Sequence, residues 1–208
     1  MNATTFVWLN KTDYNTKYLN EAYSFLIDSY NKIKSEFNFV WFDENRIRNE
    51  LVKVAQKNES DFRFITEFPD LDKSSRIDIM LITPYSLRGK DSDIEIECKI
   101  VWEDKYIDTE ASFNYKKGAT NWIMSFITWK YAENMKVSGM IWFIKKWVIE
   151  DKIDVIKDRI ITHKYINTIE NLKSHEVDKK FKYSYLSKHK RDWKLNNISI
   201  YHLFFDFT

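Results

Sequence analysis

The sequence predicts an α/β fold in which helices flank a mixed β-sheet. Three observations carry this expectation. Segments of helical periodicity alternate with strand-like runs in the order α-α-β-β-β-α-β-α-(loop)-β. One of those runs, "MIWFI" after Gly139, is apolar on both faces, as a strand inside a sheet must be. The 208 residues include only three Gly and two Pro, too few for a many-turned all-β fold.

The elements follow in chain order. Residues 19–37 read as a helix, because Tyr23, Leu26, Ile27, Tyr30, Ile33 and Phe37 recur at three- and four-residue steps. A second helix begins near Asp43 or Glu44, with Asp43 as N-cap and Ile47, Leu51, Val54 and Ala55 as its apolar stripe. "KNESD" ends it. "FRFITEF" reads as the first strand, and residues 76–83 and 93–101 as a hairpin joined by "PYSLRGKDS". Residues 115–134 read as a helix whose broad apolar face carries Trp122, Ile123, Phe126, Ile127 and Trp129. After the "MIWFI" strand, residues 151–171 read as helix, a basic loop follows, and "ISIYHLFFDF" closes the chain as a strand.

Composition narrows the class. With 44% apolar residues the chain folds rather than staying disordered, and its length suits one domain. The near balance of 33 Lys and Arg against 31 Asp and Glu does not by itself announce a nucleic-acid binder. The one cysteine, Cys98, excludes an intramolecular disulfide and a cysteine-rich zinc site; on the packed face of its strand it reads as an inert small hydrophobe. No apolar run reaches the roughly 18–20 residues of a membrane span, and no basic-then-apolar leader opens the chain, so a cytoplasmic location without membrane attachment is expected.

The hairpin is the unusual feature. Side chains of a strand alternate between faces, so Glu95, Glu97 and Lys99 share one face, while Ile94, Ile96, Cys98 and Ile100 share the other. On the facing arm Asp78 is the polar residue between Ile77 and Ile79. A turn centred on residues 87 and 88 sets Asp78 opposite Glu97. Directly opposed residues have Cβ atoms about 4.5–5.5 Å apart, and two carboxylates at that spacing repel unless a cation lies between them. A divalent metal, Mg²⁺ or Mn²⁺, would satisfy them. A solvated sheet face with ordinary Glu–Lys pairs accounts for the same pattern. Glu95 reads as an exposed acid.

"RIDIML" followed by "IEIECKI" resembles the core of the PD-(D/E)XK nuclease superfamily, a β-hairpin with an acid on its first arm and Glu-x-Lys on its second. Asp78, Glu97 and Lys99 stand at those positions. The literal Pro69-Asp70 pair does not match, since under the same register Asp70 faces residue 105, beyond the end of the strand. The stretch "FNYKKGATNWIMSFITWKYAENMKVSGMIWFI" is similar to the one that follows the lysine in small members, with Tyr115, Gly118, Tyr131 and Gly139-Met140-Ile141 in place. The closing "SKHKRDWKLNNISIYHLFFDF" also resembles the ending of some members. The resemblance covers about residues 44–145. It implies a restriction-endonuclease-like core within one domain, 1–208, followed by a basic extension from about 157. It implies a Mg²⁺- or Mn²⁺-dependent endonuclease acting on DNA more than RNA, with Asp78 and Glu97 as metal ligands and Lys99 acting on the attacking water. Small stand-alone members resemble effectors of restriction or anti-phage defence, which implies control by a protein partner or by self-association. A non-catalytic adaptor or nucleic-acid-binding subunit could keep the same fold.

Members often add an acid from the helix before the hairpin, and Glu44 and Glu50 are the candidates. At 100° per residue, Glu44 lies in the middle of the sheet-facing stripe and Glu50 at its edge, which favours Glu44. A few groups are candidate nucleic-acid contacts. Lys116 follows the hairpin and could touch a phosphate. Residues 157–194 hold eleven Lys and Arg against five Asp and Glu, a balance of +6, interleaved with Tyr165, Phe181, Tyr183, Tyr185 and Trp193. Within this run Lys188, His189, Lys190 and Arg191 are the candidate nucleic-acid contacts. A solvated face accounts for the run equally.

Overall fold

The computed structural model describes residues 11–69, 76–84, 93–102, 122–128, 132, 135–163, 166–191 and 197–208. Tyr115, Lys116, Gly118, Trp129, Tyr131 and Trp193 lie outside these residues.

Helix α1 (Lys11–Glu36) and helix α2 (Glu44–Ala55) are followed by strands β1 (Arg63–Pro69), β2 (Arg76–Ile82) and β3 (Ile94–Val101). Then come helix α3 (Trp122–Ile127), β4 (Val137–Ile144), helix α4 (Ile149–Thr162), β5 (Thr168–Ser174), β6 (Ser184–His189) and β7 (Ile198–Asp206). The strands form one seven-stranded mixed sheet in the order β1-β2-β3-β4-β7-β6-β5. Its centre, β3-β4-β7, is parallel, and antiparallel pairs flank it on both sides. Because β4 is enclosed by neighbours and covered on both faces, all eight of its residues are buried.

Most of the expected elements are present, with three differences of substance. Helix α1 begins eight residues before the expected start, since Tyr14 and Tyr18 prolong its apolar stripe by one more turn and their hydroxyls lie 3.1 Å apart. The helix expected over 151–171 stops at Thr162, and the basic loop after it is a β-hairpin, β5–β6, on the outer edge of the sheet. Thr168 and Glu170 pair with His189 and Lys188 of β6, and the β-branched Thr168 and Ile169 suit a strand better than a helix. The expected helix over 115–134 is seen between Trp122 and Ile127, and Ala132 already has a positive φ of 52°.

Helix α1 is fastened to the middle of the sheet by Tyr23, fully buried. Its hydroxyl donates to the Tyr201 carbonyl at 2.7 Å and accepts from the Met140 N–H at 2.9 Å. Glycine is required at position 139 for this approach, because a Cβ there would lie 2.6 Å from the Tyr23 hydroxyl and 2.8 Å from Ile96 Cγ1. One turn pair further along, the Tyr30 hydroxyl donates to the Asp206 carbonyl and its ring stacks on Phe205. Helix α2 lies beside α1 and buries Ile47, Leu51, Val52 and Ala55. This sets the N-terminus of α2 over the far end of β3.

Candidate active site

The register of the hairpin is the expected one, with Ile79 opposite Ile96, Met80 opposite Glu95 and Leu81 opposite Ile94. The β2–β3 ladder then stops. β2 stays with β1 down to Arg76, while β3 stays with β4 as far as Val101. The sheet therefore forks between β2 and β3, and Asp78 and Glu97 stand at the fork.

A fork leaves backbone donors without rungs. In a continued ladder the N–H groups of Cys98 and Ile100 would point to β2. Two carboxylates take them instead. Asp78 Oδ2 accepts from the Cys98 N–H at 2.8 Å, and Glu44 Oε2 accepts from the Ile100 N–H at 2.9 Å. Glu44 reaches this point because it is the first residue of α2, held there by the Asp43 N-cap, whose carboxylate accepts from the Arg46 N–H. Glu50 lies elsewhere, paired with Lys53 across one helical turn.

The Lys99 ammonium stands among the three acids. Its Nζ lies 2.9 Å from Glu97 Oε1, 3.2 Å from Glu44 Oε1 and 3.4 Å from Asp78 Oδ2. Glu97 and Lys99 are both buried, so the solvated sheet face that the sequence allowed is not what these residues form. Burial pushes the Glu97 carboxyl up to about 8, with the charges of Asp78 and Glu44 adding to the effect and Lys99 opposing it. Glu44 is raised as well, first by burial. For Lys99 burial works in the other direction, but the three carboxylates outweigh it and raise the ammonium above the ordinary lysine value.

A residue not expected from the sequence completes the cluster. Arg48 follows Glu44 by one turn of α2 and is only 1% exposed. Its Nη1 donates to Asp78 Oδ1 and its Nη2 to Glu67 Oε1, both at 2.8 Å. The helical wheel held the signal: four residues on from Glu44, Arg48 falls on the same sheet-facing stripe, where a cation requires a buried partner. Glu67 lies directly across β1 from Asp78. Its φ of 53° breaks the β1–β2 pairing between Thr66 and Phe68 and turns its carboxylate towards Arg48 and Arg76. A non-glycine residue in the left-handed region costs about 1–2 kcal/mol, and the bond to a buried guanidinium offsets it.

Carboxylate oxygens are hard ligands suited to Mg²⁺ or Mn²⁺. Three carboxylates converge here, against the Lys99 ammonium and the Arg48 guanidinium on Asp78, and their oxygens are of the type a hard divalent cation takes. As the side chains stand, Lys99 takes the place between them, and among the described residues no group of three or more His, Cys, Asp or Glu is arranged to hold an ion. Glu95 is half-buried, not exposed, because its Oε2 accepts from the Ala132 N–H at 2.8 Å.

The candidate nucleic-acid contacts divide. Lys190 is exposed, and Lys188 pairs with Glu170 at 2.8 Å on the β5–β6 edge. His189 and Arg191 are inside the protein and cannot meet a phosphate. Arg191 donates Nε, Nη1 and Nη2 to the carbonyls of Phe126, Met135 and Ala132, fixing the α3–β4 connection. His189 belongs to a buried chain across β4, β7, β6 and β5. Trp142 Nε1 donates to His202 Nδ1, and Ser187 Oγ lies 2.8 Å from both His202 Nε2 and His189 Nε2. Thr168 Oγ1 then lies 3.4 Å from His189 Nδ1. One set of neutral tautomers satisfies every member: His202 protonated at Nε2, Ser187 donating to His189 Nε2, and His189 protonated at Nδ1.

Compared with known protein families, curated proteins and solved structures, the chain matches none of them. Among the described residues no helix is long and apolar enough to cross a membrane.

Proposed function

We propose that the chain is a metal-dependent phosphodiester hydrolase of the PD-(D/E)XK type, acting on DNA in preference to RNA. The observation that carries this reading is the convergence of Glu44, Asp78 and Glu97 on Lys99 inside a fork of the sheet. A solvated charge pattern would not bury Glu97 and Lys99 and half-bury Glu44 and Asp78 against them. The order α2, β1, β2, β3, α3, β4 supports it too, since the resemblance implies a helix before the hairpin and a helix and a strand after it.

Asp78 and Glu97 would hold the Mg²⁺ or Mn²⁺ ion, with Glu44 at its side. When bound, the ion neutralises charge developing on a scissile phosphate and its leaving oxygen. Asp78 is held for this task by Arg48 and the Cys98 N–H, and Glu44 by the Ile100 N–H, so neither has to be ordered when substrate arrives. Lys99, whose ammonium stands among the three acids, would orient a water or a phosphate oxygen by donating hydrogen bonds. A role as effector in restriction or anti-phage defence, under the control of a partner, follows from the resemblance alone.

The test is incubation of the purified chain with plasmid and with single-stranded DNA and RNA, in Mg²⁺, in Mn²⁺ and in chelator. Hydrolysis is expected with either ion and not in chelator. Hydrolysis by Asp78→Asn or Glu97→Gln at the wild-type rate would overturn the proposal.

A further inference from the structure

Four tryptophans have described side chains. Trp142 is fully buried; Trp41, Trp102 and Trp147 are exposed, Trp41 at 86%. Grouped exposed aromatics, unlike scattered single ones, mark interaction sites, and Trp102 and Trp147 both follow strands that finish at the same end of the parallel β3–β4 pair. Trp102 directly follows β3, and Trp147 lies three residues beyond the end of β4. Lys145, just after β4, joins Trp102 to the segment that carries Trp41. Its ammonium lies 4.0 Å from the centre of the Trp102 ring and donates to the Phe42 carbonyl at 2.7 Å. Beside Trp41, the Arg46 guanidinium lies 3.8 Å from the centre of the Phe42 ring.

The rim is continuous with the candidate active site on both arms. Phe42 is two residues before Glu44, and Trp102 is two residues after Ile100, whose N–H Glu44 accepts. Aromatic faces interleaved with Arg and Lys are the chemistry of base stacking with phosphate attraction. A protein partner would meet the same aromatic faces, but the cations and the link to a cluster read as a phosphodiester site favour a polyanion.

From this juxtaposition we infer that Trp41 and Trp102 form a stacking platform for unpaired bases, so that the preferred substrate presents a single-stranded segment to the Glu44–Asp78–Glu97 cluster. The inference rests on the hydrolase reading for what happens to the strand, but the platform is tested by binding alone.

The experiment is fluorescence anisotropy in chelator, with a labelled oligothymidylate of about 20 nucleotides, longer than the site sizes of roughly 4–16 usual for stacking grooves. An abasic strand of equal length and charge and a duplex are the comparisons. The oligothymidylate is expected to bind about tenfold more tightly than the abasic strand, and Trp41→Ala and Trp102→Ala are each expected to remove most of that preference while leaving abasic binding unchanged. Trp41→Phe keeps a stacking ring and should retain most of it. Equal affinity for the two strands in the wild-type chain, or tryptophan variants that bind like wild type, would overturn the platform. So would a self-associated chain that Trp41→Ala converts to monomer without any base-dependent binding, which would make the rim a protein interface. Base-dependent binding without hydrolysis in any ion would leave the platform standing and remove the hydrolase reading. Hydrolysis with unaltered binding in the variants would do the reverse.

Discussion

Asp78 and Cys98 are joined by a bond that replaces a rung of the sheet: the Asp78 carboxylate accepts the Cys98 N–H at 2.8 Å at the point where β2 and β3 part. One side chain thus ends the ladder and begins the candidate active site. Its other oxygen accepts from Arg48, so the same residue carries a structural and a chemical load that substitution can separate. Asp78→Asn keeps one acceptor oxygen for the Cys98 N–H but turns an amide NH₂ towards Arg48, and should lose hydrolysis and part of the stability. Asp78→Ala loses both bonds, and breaking a buried pair in this way costs about 3–5 kcal/mol. Urea unfolding of the two variants checks the difference.

Arg48→Ala should destabilise by a similar amount, about 3–5 kcal/mol, because Asp78 loses its buried partner. Arg48→Lys supplies a single ammonium nitrogen where two guanidinium nitrogens bridge two carboxylates, and is expected to recover only part of the loss. If Arg48→Ala unfolds at the wild-type urea concentration, the bridge to Asp78 and Glu67 does not stabilise the fold.

Glu44 and Glu50 are chemically alike and lie six residues apart on one helix, so they make an internal control. Glu44→Gln is expected to lower hydrolysis by two orders of magnitude or more, in the range of about 10²–10⁴ found for a positioned acid–base group. Glu50→Gln should leave it unchanged, since its partner is Lys53. The comparison is of initial rates on one substrate in saturating Mg²⁺.

The buried histidines predict an acid-labile fold. Burial drives His189 down to about 4 and His202 down to about 3, with His189 adding to the effect on His202. A folded pKa below the unfolded value means that the unfolded chain binds the extra protons. Stability from these residues is therefore complete above about 6.5, the ordinary histidine value, and declines as pH falls towards 4 and 3, by up to about 1.4 kcal/mol per pH unit for each histidine. Unfolding midpoints at pH 8 and pH 5 measure it. The double variant His189→Gln, His202→Gln should have a flatter profile, and an unchanged profile would assign the acid sensitivity to other groups.

On the β5–β6 edge, Lys190→Ala should reduce the salt dependence of DNA binding by at most about one unit of log–log slope, the share of a single phosphate contact. Arg191→Ala should instead destabilise the fold, because three backbone carbonyls lose a charged donor. Anisotropy across a salt series checks the first and thermal unfolding the second.

By itself the sequence determined most of the elements, though not the β5–β6 hairpin, and it marked several residues of the candidate site. Period-two alternation fixed which residues of β3 share a face, and the loop length was enough to set the register that pairs Ile79 with Ile96 and leaves Asp78 and Glu97 next beyond it. The wheel of α2 pointed Glu44, and not Glu50, towards the sheet. These are local quantities, set by backbone geometry within one or two elements. Whether the polar face of β3 is wet or dry was not local. It depends on α2 lying over the end of β3, which follows from helix–helix and helix–sheet packing. The tertiary structure alone turned Glu97 and Lys99 from a surface pair into a buried one, brought Arg48 to Asp78, and gave Cys98 and Ile100 carboxylates in place of a strand. It also took His189 and Arg191 out of the basic run and into the interior. Their one-dimensional setting, "SKHKR", is that of a solvated face. Pairing of β6 with β7 turns alternate residues of that run inward, where the hydroxyls of Ser187 and Thr168 meet the His189 ring and three backbone carbonyls accept from the Arg191 guanidinium.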